Sequence, residues 1–127
     1  MKIEELAKLD RTGLYDRKKY LERHLIGAKY WKEKYEGYKD AVNREKAIAE
    51  WDEKLKEDIE RMAQVLLQGN TFRAENIKRL IQTWEYWKDE VTKLENPEYL
   101  AQRVEEVTNE WRVLHEELLI VKVFLTL

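Results

Sequence analysis

Residues 96–127 read NPEYLAQRVEEVTNEWRVLHEELLIVKVFLTL. Within them Leu100, Val104, Val107, Trp111, Leu114, Leu118, Val121 and Leu125 recur at alternating gaps of four and three. Apolar residues in that register form one continuous stripe on a helix, the seam against which another helix packs. Asn96 suits the cap, Pro97 the first helical position, and Glu98 faces the positive end of the helix dipole. The stretch therefore predicts a long amphipathic helix that has helical partners.

Earlier segments repeat the pattern. Residues 2–9 suggest a short helix with Ile3, Leu6 and Leu9 on one side, interrupted by Asp10-Arg11-Thr12-Gly13, with Thr12 as the expected cap of the next helix. A long helix over 14–36 places Leu14, Tyr20, Leu21, His24, Leu25, Ala28, Trp31, Tyr35 and Tyr38 on one broad face. Gly37 is a natural stop and Asp40 or Asn43 a natural cap, so a turn is expected over 37–43, with one continuous helix as the competing reading. Ile48, Trp51, Leu55, Ile59, Met62 and Leu66 then make a second stripe, closed by Gly69-Asn70-Thr71. A helix over 72–94 buries Ile77, Leu80, Ile81, Trp84, Trp87 and Val91. Trp51, Trp84 and Trp111 are expected to stack in one layer. Short turns between long helices imply antiparallel neighbours. The fold class is thus all-α: a single domain of 127 residues forming an antiparallel helical bundle of four main helices with a short N-terminal helix.

Composition narrows the function by exclusion. The chain is 43% hydrophobic and 39% charged with 14 aromatics, too apolar for a disordered segment. It contains neither Ser nor Cys, which removes the commonest nucleophiles, disulfides and thiolate metal sites. Four scattered Gly cannot form a phosphate-binding loop. Neither His24 nor His115 lies three residues after a Glu, so the Glu-x-x-His pattern of di-iron bundles is missing. Glu33/Glu36, Glu50/Glu53 and Glu57/Glu60 give the first half of the E-x-x-E…E-x-x-D magnesium pattern of all-α nucleotide pyrophosphohydrolases, but no E-x-x-D follows. No catalytic residue, cofactor or metal is expected, and no enzyme. The N-terminus lacks the apolar core of a signal peptide, and the longest apolar run is four residues, so the expectation is a cytoplasmic protein without a membrane segment.

Two surfaces stand out instead. Residues 1–46 carry 13 Lys/Arg against 9 Asp/Glu, whereas the whole chain has a net charge of −2. Opposite the apolar face of the first long helix, Lys19, Arg23, Ile26, Tyr30 and Lys34 form a stripe flanked by Lys18 and Lys29. Such a stripe suits an acidic protein groove, with Arg23 and Tyr30 as anchors. It also suits a nucleic-acid backbone with Tyr30 stacking on a base. Glu22, Glu33 and Glu36 interleave with it, so a merely solvated face competes with both. At the C-terminus Leu119, Ile120, Val123, Phe124 and Leu127 point away from the seam. That patch is either covered by Ile3, Leu6 and Leu9 or forms a homo-oligomer or partner interface; a strand-like tail over 120–124 is a third reading. The expected function is a non-enzymatic, intracellular protein-interaction module: an adaptor, an assembly subunit or an inhibitor of a larger enzyme. A nucleic-acid-associated helical subunit is the alternative.

Overall fold

The computed structural model describes residues 1–127 and contains five helices and no strand: α1 (Ile3–Ala7), α2 (Arg11–Gly37), α3 (Ala41–Leu67), α4 (Thr71–Lys93) and α5 (Pro97–Thr126). The chain forms an all-α helical bundle, the class its periodicity predicts. Its contacts divide into two compact units, Met1–Glu36 with Ala101–Leu127, and Gly37–Leu100.

In the first unit α2 and α5 run antiparallel. Arg11 reaches the Leu125 carbonyl, Arg17 reaches Glu117, and Arg103 Nη2 donates to the Tyr35 hydroxyl at 3.2 Å, so ascending α2 descends α5. All eight residues of the predicted α5 seam are buried or half-buried. Leu6, Leu14, Leu21, Leu118 and Val121 make the core, with Leu9, Leu25, Ile120 and Phe124 packed around it. The tail is helical to Thr126, not a strand: Val121 is fully buried on the helical seam, which helical periodicity extends to Leu125. α2 starts earlier than expected because Asp10, rather than Thr12, supplies the cap; its Oδ1 accepts the Gly13 N–H at 2.7 Å. Gly13 relieves crowding there, since an added Cβ would lie 3.1 Å from that oxygen and 3.3 Å from Leu9 Cβ.

The second unit is the α3–α4 hairpin. Residues 38–40 form the turn before it: Asp40 accepts the Val42 N–H at 2.9 Å, and Asn43 donates to the Gly37 carbonyl at 2.9 Å. Both residues nominated as caps hold that turn, and the continuous-helix reading is excluded. α3 ends in a Schellman arrangement, with Gly69 at φ 77°, its N–H on Leu66 and the Asn70 N–H on Val65. Asn70 then caps α4 by accepting the Arg73 N–H at 3.0 Å. Asn96 accepts the Glu98 N–H at 2.9 Å, and α5 begins at Pro97, as the sequence implies.

The α3 stripe holds at Ile48, Trp51, Leu55 and Met62 and departs from its predicted course at two positions. Ile59 and Leu66 are about half exposed, while Asp58 and Val65 are buried. Strict three–four alternation from Trp51 leads through Leu55, Asp58, Met62 and Val65; a stripe built from apolar residues alone skips Asp58. Leu80, expected inside, is exposed on the flank of the Ala74/Ile77/Ile81 core. Trp51 and Trp84 stack at 5.3 Å, but Trp111 stacks on His115 at 4.9 Å instead of completing a layer. On α2, the Tyr20 and His24 rings lie 4.1 Å apart, tilted by 41°, and are exposed rather than buried.

α1 is five residues long, too short to persist alone; burial of Leu6 holds it. Leu6→Ala should cost about 2–5 kcal/mol at a fully buried leucine. Amide exchange should accelerate first over residues 3–9. A uniform rise across both units would show that Leu6 does not act locally.

Candidate interaction surfaces

The outward face of α2 follows from the burial of the opposite one. With Leu14, Leu21, Ala28 and Tyr35 buried, helical geometry turns Lys19, Arg23, Ile26 and Tyr30 to solvent. Ile26 is 75% exposed and Tyr30 55%, the latter edge-on to Trp31 at 5.2 Å. The flanking cations each face a glutamate one turn along the helix: Lys18 meets Glu22 at 3.8 Å and Lys29 meets Glu33 at 4.0 Å. Lys19 and Arg23 form no ion pair. Lys34 is exposed on the same face. The stripe's outward charge is therefore concentrated at Lys19 and Arg23, rather than spread over all the cations read from the sequence.

At the C-terminal end α1 covers the apolar patch only in part. Leu6 is buried and Leu9 half-buried, but Ile3 stays half exposed and joins Leu119, Ile120, Val123 and Phe124 around an open apolar groove of about 240 Å³. Leu127, 87% exposed, lies at the helix end. A second, wider groove of about 530 Å³ is lined by Tyr20, His24, Glu106, Asn109, Glu110, Val113 and Leu114.

The buried charges were not legible as sites. Glu117, 8% exposed, receives Arg17 Nε at 2.8 Å, Arg17 Nη2 at 3.1 Å and the Met1 amine. Burial pushes its carboxyl up, but the hydrogen bonds and charges of Arg17 and the terminal amine outweigh this and hold it below the ordinary glutamate value. Asp58 accepts the Trp84 indole N–H at 2.6 Å and pairs with Arg61 at 3.2 Å. Lys54 lies over both Trp51 and Trp84, 5.0 and 4.7 Å from the ring centroids. Glu90 accepts the Tyr99 hydroxyl at 2.8 Å. Asp58 and Glu117 occupy the same helical spacing, three residues after one seam position and four before the next (Leu55 and Met62, Leu114 and Val121), and a stripe built from apolar residues alone passes over both. Another feature missed is the α3–α4 tip, where Leu67 is 90% and Phe72 79% exposed.

The Glu33/Glu36, Glu50/Glu53 and Glu57/Glu60 pairs lie on helix surfaces, and Glu36 is paired with Lys32 at 3.1 Å. No group of three or more His, Asp or Glu side chains is placed to hold a metal ion. No helix is long and apolar enough to cross a membrane. Comparison with protein-family models, curated proteins and solved structures finds no match to this chain.

Because the Glu117 carboxyl is held below its ordinary value, its stabilising contribution is complete above that ordinary value and lost as pH falls through the lower folded one. The stability gap between the wild type and Glu117→Gln should be largest near neutral pH and close as the pH falls below the ordinary carboxylate range. Urea unfolding across that range measures it; a gap independent of pH would contradict the assigned ion pair.

Proposed function

We propose that the chain is a non-enzymatic, intracellular protein-interaction module, an adaptor, assembly subunit or inhibitor of a larger enzyme or complex, that docks through helix faces. The observation that carries this reading is the outward face of α2. An isoleucine at 75% exposure and a tyrosine at 55% sit in line with two cations that have no partner in their own chain. An aromatic and an arginine beside an exposed aliphatic side chain are the anchor types that protein interfaces favour. The C-terminal groove is the second surface, with self-association through Leu119, Ile120, Val123, Phe124 and Leu127 as its simplest use. The absence of cysteine suits a reducing compartment.

Nucleic-acid binding is the second reading, favoured by one observation: Lys19 and Arg23 lie a helical turn apart with the Tyr30 ring exposed beyond them. Backbone contacts from Lys19 and Arg23 would give a salt slope of roughly −1.4 on single strands.

A photo-crosslinking residue at position 30, in extract of the cells that encode the chain, separates the two. The expected result is one discrete protein adduct, lost in Lys19→Glu/Arg23→Glu. Absence of a protein adduct, together with salt-steep binding of a labelled single-stranded oligonucleotide, would transfer the surface to nucleic acid.

A further inference from the structure

Gly27 lies on the exposed side of α2, beside the line from Arg23 to Tyr30 and across it from Ile26. In the middle of a 27-residue helix, a glycine costs about 1 kcal/mol relative to alanine. Two other glycines have evident reasons: Gly13 is crowded by Asp10 and Leu9, and Gly69 has a positive φ. Gly27 has neither reason. Its φ is not positive, and an added Cβ would meet nothing within 4 Å. The chain gains nothing of its own from the missing side chain. What the missing side chain provides is a shallow place where another backbone can approach the helix closely.

We infer that this face receives an acidic amphipathic helix of a partner protein, seated over Gly27. The proposal deepens the interaction-module reading and rests on it. Ile26 and Tyr30 flank Gly27 and supply the apolar seam; Lys19 and Arg23, exposed and without an ion pair in the chain, are complementary to carboxylates on the incoming helix. A phosphate backbone would use the two cations and Tyr30, but it gains nothing from an exposed isoleucine beside a glycine. The combination of small, aliphatic and cationic groups thus selects a helix of protein over a nucleic acid.

The test uses the full chain and a lactam-bridged helical peptide of about six turns, with an Ala/Leu seam bracketed by Glu. Controls are the same peptide with Lys in place of Glu and a single-stranded oligonucleotide of similar length. Gly27→Ala should raise the Tm of the free protein by roughly 3–6 °C, the gain of a helix-interior glycine replaced at an unobstructed site. The same substitution should weaken the Glu peptide by roughly tenfold, while Lys19→Glu/Arg23→Glu abolishes its binding. Opposite signs for stability and binding are the signature, and a misfolded variant cannot produce them. The proposal is overturned if Gly27→Ala fails to stabilise the chain, if it leaves peptide binding unchanged, if the Lys peptide binds as well, or if only the oligonucleotide binds. No binding of any probe overturns it too. A protein adduct at position 30 in that case would keep the broader reading alive with a partner of different chemistry.

Discussion

A carboxylate that loses its water must find its counter-charges inside the protein. In the first unit that obligation falls on Glu117, and two groups far apart in sequence meet it: the Arg17 guanidinium from α2 and the amine of Met1. The pairing does more than neutralise charge. It selects the one register of α2 along α5 that places Arg17 opposite Glu117, and it draws the chain terminus towards the same point. From there Leu6 drops into the core formed with Leu14, Leu21, Leu118 and Val121. Apolar burial supplies most of the stabilisation, since it scales with area and has no preferred direction; the ion pair supplies the register that burial alone leaves loose.

The second unit meets a similar constraint with different groups. Asp58 sits in the seam of α3, where an apolar residue would be the ordinary choice, and is satisfied by the Trp84 indole and Arg61. Lys88 pairs with Asp52 at 2.5 Å, again across α3 and α4. A hairpin whose buried aspartate must face a particular tryptophan is protected against slippage along its length.

Helix number, the four long spans and most caps are legible in the sequence because they rest on local chemistry. Pro97 after Asn96, Gly69 before Asn70 and Asp40 ahead of α3 each act within a few residues of their position. Differences arise where the outcome depends on what lies opposite. Asp58 is polar and so drops out of an apolar stripe, although the three–four register demands that it point inwards. Periodicity alone puts Trp111 in a layer with Trp51 and Trp84, whereas its stacking partner is His115 on its own helix. The basic stripe is an exposed face in sequence and structure alike, yet which cations remain unpaired is decided by side-chain reach. Gly27 has no visible meaning until the space around it is known.

The stacked Trp51 and Trp84 rings, 19° from parallel, also have a spectroscopic consequence. Two indoles that close couple their electronic transitions, and an ammonium above them shifts the energies further. The α3–α4 hairpin therefore carries an optical label of its own. In the first unit, Trp31 and Trp111 lie beside a tyrosine and a histidine instead, so the indoles of the two units differ in near-ultraviolet environment before anything is attached to either.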